Sequence, residues 1–81
     1  MSGKWNDIST TAAECYELLA PTARGVVLRE RDAGPGTPFS VYVEEADGAR
    51  RWADRGFDDL TKAKIWAENE MARTLDQQVG L

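Results

Sequence analysis

The sequence contains no histidine. That removes the side chain most used as a general base near neutral pH and the commonest nitrogen ligand for metals. A zinc site of cysteine and histidine type is excluded for this chain alone. There is one cysteine, Cys15, so no internal disulfide forms. No apolar run approaches the roughly 18 residues of a membrane span, and the first residues lack a basic-then-apolar leader. The expectation is a cytoplasmic protein. Without a histidine or any nucleophile–base pair, it is also expected to be no enzyme and to need no cofactor or metal.

What is present is 81 residues, 42% hydrophobic and 30% charged, with a net charge of −4. This fits a single small domain over residues 1–81. A chain of this size buries only about 60–65% of its unfolded surface, so its core is thin. The acidic balance disfavours nonspecific attraction to nucleic acid and favours a basic partner surface, while also serving solubility.

Residues 1–6 are polar apart from Trp5 and read as a loose strap. Ile8, Ala12, Cys15 and Leu19 fall at i, i+4, i+7 and i+11, which predicts a helix over 7–20. Thr11 and Glu14 fit a capping box at its start, and Pro21 ends it. Residues 25–31 read as a strand, with Val26 and Leu28 on one face and Val27, Arg29 and Arg31 on the other. The turn formers of residues 32–38 make a loop; Gly34-Pro35-Gly36 lacks the Gly-Lys-Ser/Thr ending of a phosphate loop.

Residues 39–46 and 49–55 read as a hairpin about Asp47-Gly48. A two-residue turn there sets Glu45 opposite Arg50, Glu44 opposite Arg51 and Val43 opposite Trp52, with Phe39, Val41, Val43 and Trp52 on the covered face. The same register puts Asp54 opposite Val41 on the core side, which calls for a bulge or an early strand end. Gly56-Phe57 leads to Asp58 and Asp59 as caps of a helix over 59–77, whose stripe is Leu60, Ala63, Ala67 and Met71. The expected fold is α+β, in the order α-β-β-β-α: a three-stranded antiparallel sheet with a long C-terminal helix packed on one face.

Several side-chain groups stand out. Glu44, Glu45 and Asp47 on the hairpin, with Glu68 and Glu70 on the helix, form candidate protein contacts, and Ile65 is a candidate apolar anchor. Three tryptophans point to an interaction surface or a homodimer face. Alternatively, Arg29, Arg31, Tyr42, Arg51 and Arg55 make a candidate nucleic-acid surface on the sheet's open face. Cys15 reads as a buried structural thiol.

Asp47-Gly48-Ala49-Arg50-Arg51, Gly56-Phe57 and Thr61-Lys62-Ala63 with Trp66 resemble the arm-DNA-binding domains of phage integrases, which implies a DNA-reading sheet. Glu44, Glu45, Asp58 and Asp59 depart from that pattern, as does the lack of a catalytic domain after the helix. In size, acidity and layout the chain is also similar to anti-CRISPR proteins, the small phage-encoded inhibitors of bacterial defence. That resemblance carries no residue assignments. It implies a phage or prophage protein in the cytoplasm of a bacterial host, one that blocks a basic nucleic-acid-handling complex by binding it.

Overall fold

In the computed structural model, residues 4–30, 36 and 38–79 are described, with side chains through residue 73. The strands are β1 (Asn6–Asp7), β2 (Ala13–Ala20), β3 (Ala23–Glu30), β4 (Ser40–Glu45) and β5 (Arg50–Trp52), followed by helix α1 (Leu60–Val79). The strands form one antiparallel sheet in sequence order, β1-β2-β3-β4-β5. The α+β class stands, but the described residues form a five-stranded sheet and one helix, which corrects the three-stranded α-β-β-β-α expectation.

The correction begins at the predicted first helix. Residues 7–20 extend instead, because side chains and sheet partners satisfy their backbone. Ser9 Oγ accepts from the Cys15 N–H (2.9 Å) and donates to the Cys15 carbonyl (3.2 Å). Thr10 Oγ1 accepts from the N–H groups of Ala12 and Ala13, both at 3.2 Å. Such local bonds favour a turn over a helix. No capping box forms, since Glu14 is engaged elsewhere, by Arg29 and Tyr16. β2 then pairs with β3 along its whole length, through the tight Pro21-Thr22 turn. Alternation in β2 turns Tyr16, Leu18 and Ala20 toward the helix layer, where Leu18 joins the core.

The second correction is one of register. The Glu45 N–H donates to the Ala49 carbonyl and the Gly48 N–H to the Glu45 carbonyl, both at 2.8 Å. Gly48 has φ +91° and Asp47 does not have positive φ. This is a three-residue loop with glycine at the left-handed position, in place of the two-residue turn that needs positive φ twice. The extra residue shifts β5 by one, so Tyr42 faces Trp52, Val43 faces Arg51 and Glu44 faces Arg50. A one-residue shift exchanges the faces. Trp52 therefore leaves the core side and Arg51 enters it. Ala53, rather than Asp54, now bonds opposite Val41, its N–H donating to the Val41 carbonyl at 2.9 Å. The predicted Asp54 misfit is removed.

The core lies between α1 and the sheet. Val27, Val41 and Val43 are fully buried and meet Ala63, Ala67 and Met71, with Phe39 and Phe57 closing one end. Small residues on the helix let it approach closely. Gly25 lies beneath it, where a Cβ would come within 2.9 Å of Met71 Sδ and 3.3 Å of Ala67 Cβ. Asp59 caps the helix, its Oδ1 accepting from the Thr61 N–H at 2.9 Å. Trp5 crosses back onto α1 and donates from Nε1 to Glu68 at 2.9 Å, so the strap is tied to the core. Among the described residues, no helix is long and apolar enough to cross a membrane.

The register carries a stability signature. Val43→Ala, at a fully buried site, costs about 2 kcal/mol, while Trp52→Ala costs less than about 1.5 kcal/mol because the ring is half exposed. Urea unfolding of the two variants checks this. A Trp52→Ala cost of about 3–5 kcal/mol, the value for a core tryptophan, contradicts the shifted register.

Candidate functional site

The sheet face turned away from α1 is built by β-alternation alone. Cross-strand pairing aligns Asn6, Glu17, Val26, Tyr42 and Trp52 in one row. A second row holds Leu19, Arg24, Glu44 and Arg50, and a third holds Cys15, Leu28 and Ser40. Ile8, whose N–H donates to the Cys15 carbonyl at 2.9 Å, extends the third row.

The centre of this face is an ionic frame in which one buried donor, Arg24 Nε, lacks a hydrogen bond. Arg24 Nη1 donates to Glu17 at 2.9 Å and Nη2 to the Tyr42 hydroxyl at 3.2 Å, while its Nε lies 3.5 Å from Glu44. Arg50 Nε donates to the other oxygen of Glu44 at 2.9 Å, and its guanidinium lies 4.9 Å from the centre of the Tyr42 ring. The Arg50 hydrogen bond, aided by the Arg24 charge, holds the Glu44 carboxyl below its ordinary range. Burial works against the charge on Arg24, but Tyr42, Glu44 and Glu17 outweigh it and raise its pKa. The long arginine stems cover apolar surface. Val26 and Tyr42 are thus 3% and 7% exposed although no element of the described chain lies over them.

Apolar side chains flank the frame. Leu19 is 61% exposed, Trp52 53% and Ile8 42%. These are three of the four large hydrophobic residues left exposed among the described residues; the fourth is Ile65 on α1. Trp52 packs on Tyr42 with ring centres 4.6 Å apart and planes at 48°. Strand spacing sets the β2 and β5 flanks about 14 Å apart across the frame. Cys15 lies between Ile8 and Leu28. It is half-buried rather than fully buried, and burial followed by the Glu17 charge raises its pKa. A raised pKa leaves less thiolate to act as a nucleophile. No metal site formed by three or more His, Cys, Asp or Glu residues occurs among the described residues.

The candidate residues named from sequence do not gather into one surface. Glu44 lies on the open face between two arginines. Glu70 is on the opposite side, bridging Arg51 at 3.3 Å and Arg73 at 2.7 Å. Glu68 accepts from Trp5. Asp47 sits at the hairpin tip and accepts from the Ala49 N–H. Glu45 follows Glu44 and turns to the helix side by alternation. Ile65 is exposed and lines a groove with Arg55, Phe57, Lys62 and Trp66.

The arginine surface is corrected more sharply. Arg29 is on the helix side, paired with Glu14 at 2.7 Å and lying over Phe39. Arg51 is also there, against Glu70. Arg55 lies over Phe57, and Arg31 is outside the described residues. Of that set only Tyr42 is described on the open face.

Sequence reasoning missed Ile8, Leu19, Arg24, Arg50 and Trp52 as members of this face. The misassigned helix hid the first two and the register hid the last two. One signal was in reach: the predicted burial of Asp54 marked the register as wrong by one.

Comparison with protein-family models, curated proteins and solved structures returns no match to the chain.

The depressed Glu44 carboxyl links this face to pH. A group whose folded pKa lies below its unfolded value contributes stability that is full above the unfolded value. That stability is lost as pH falls through the folded one. Glu44→Gln is therefore expected to lower the melting temperature at pH 7, with the gap to wild type closing on acidification below the ordinary carboxylate range. Thermal melts of both proteins across the acid range check this; a gap that does not shrink contradicts it.

Proposed function

We propose that this chain is a non-enzymatic protein-binding module whose contact surface is the open face of the sheet. The observation that carries the reading is the placement of Ile8, Leu19 and Trp52, exposed together on one uncovered face. Trp, Tyr and Arg are the residue types enriched at binding hot spots, and Trp52, Tyr42, Arg24 and Arg50 adjoin one another here. Each arginine of the ionic frame already faces a carboxylate, so a partner need not supply countercharges to bury it. It covers the two apolar flanks and rests on a pre-ordered polar strip. Pre-ordering of this kind reduces the entropy lost on association.

The narrower form of the reading is an anti-CRISPR-like inhibitor from a phage or prophage that blocks a nucleic-acid-handling complex of its bacterial host. Docking through bare carboxylates has less support than the sheet face, because Glu44 and Glu70 are each held by two arginines. The net charge of −4 still favours a partner whose surface is basic around the apolar contact.

A second reading is a small nucleic-acid binder. It draws on the Trp52–Tyr42 pair with Arg50 beside it, since an exposed aromatic next to a guanidinium is a platform for an unstacked base.

Recovery of partners from a bacterial lysate by wild type, Trp52→Ala and Leu19→Glu tests the main reading. The wild type is expected to retain a defined complex that each variant loses by about 2 kcal/mol of affinity, with both variants still folded. Retention that is indifferent to both substitutions counts against the open face. A labelled single strand titrated at low salt tests the second reading. Binding that weakens steeply with salt and disappears with Trp52→Ala supports it, and no binding at micromolar protein ends it.

A further inference from the structure

A groove of about 660 Å³ runs between α1 and the segment that follows β5. It lies apart from the open sheet face and does not depend on the reading of that face. Phe57, Ile65 and Trp66 supply its apolar lining, and Arg55, Lys62 and Asp58 its charges. Phe57 is buried in the core, whereas Ile65 is 49% exposed, a large side chain displayed on a helix surface otherwise polar around it. Two cations and one anion give the lining a charge of +1, on a chain whose total is −4.

The pairing pattern sets these two cations, with the exposed Lys4, apart from the other described ones. Arg24, Arg29, Arg50, Arg51 and Arg73 each make an ion pair of 3.5 Å or less. Lys64 is spent on the rings of Trp5 and Tyr16. Neither Arg55 nor Lys62 pairs with a carboxylate among the described residues, although Asp58 lines the same groove; Arg55 instead lies 5.3 Å from the centre of the Phe57 ring. The groove thus presents an apolar lining beside uncompensated positive charge. A complementary ligand brings an apolar group and a carboxylate together. The groove is also open to solvent, so a bound polypeptide segment can leave its backbone groups to water.

We infer that this groove docks a segment of a partner protein in which a large apolar side chain stands within a few residues of an aspartate or glutamate. The apolar side chain packs on Ile65 and Trp66, and the carboxylate meets Arg55 and Lys62. A module with an acidic total charge would in this way hold an acidic peptide, at a place where two of its cations make no ion pair among the described residues.

The probe is a random peptide library displayed on phage, selected on the immobilised full chain. A synthetic copy of the leading peptide is then titrated by fluorescence anisotropy. Enriched peptides are expected to pair a large apolar residue with a nearby carboxylate and to bind more weakly as salt is raised. Ile65→Asp and the double change Arg55→Glu with Lys62→Glu should each weaken binding about tenfold or more. Trp52→Ala, on the open sheet face, should leave it unchanged, so this site and the sheet face stand or fall separately. Circular dichroism melts confirm that the variants are folded, and the charge-reversal pair carries the test if Ile65→Asp is not. No enrichment, enrichment of basic or uncharged peptides, or equal binding by folded variants overturns the inference. So does sedimentation showing that the groove is filled by a second copy, as a dimer that Ile65→Asp dissociates.

Discussion

A single glycine in the left-handed region controls which side of the sheet each residue of β5 takes. Gly48, at φ +91°, lets the chain reverse through three residues, with the Glu45 and Ala49 backbones bonded across the base of the loop. Everything downstream inherits that count. Arg51 is carried under α1, where it pairs with Glu70, which Arg73 also holds. Trp52 is carried to the far side, against Tyr42. Glu44 is left between Arg50 and Arg24, which closes the frame across β2 to β5. With a two-residue loop, a charged guanidinium and an indole would change places, and both would be in the wrong environment.

The two faces of the sheet are stabilised by different physics. On the helix side, burial is hydrophobic and close-packed: three fully buried valines meet alanines on α1, and Gly25 leaves the room Met71 needs. On the other side no layer exists among the described residues, and the shielding of Val26 and Tyr42 comes from arginine stems held in place by their own ion pairs. That frame orders the face without filling it. Such a surface is rigid in the middle and apolar at its flanks, which is the combination the proposed binding role draws on. The groove beside Ile65 has the reverse character, an apolar lining with cations that pair with no carboxylate among the described residues.

Much of the hairpin and helix was legible from residue pattern. The stripe of Leu60, Ala63, Ala67 and Met71, the Asp59 cap, and the alternation of Phe39, Val41 and Val43 are all local signals, and each has the role its spacing implies. The first twenty residues misled because their apolar positions fit two periods. Ile8, Ala12, Cys15 and Leu19 match a helical stripe, while Tyr16, Leu18 and Ala20 match a strand. What decides between them is β3, whose partners lie from a few residues to more than fifteen residues away in sequence. The arginine surface failed for a related reason. Alternation shows which residues share a face, but not which face the helix covers.

The sequence by itself determined the elements whose signals are short in range: the C-terminal helix and its cap, the central hairpin, and the exclusion of histidine and disulfide chemistry. Tertiary structure alone decided that the N-terminal third is sheet, that Trp52 and Leu19 share an uncovered face, and that Glu44 and Glu70 are neutralised by arginines on opposite sides. The physical reason is that helix bonds close within four residues, whereas strand bonds, register and ion pairs depend on partners brought together only by the completed fold.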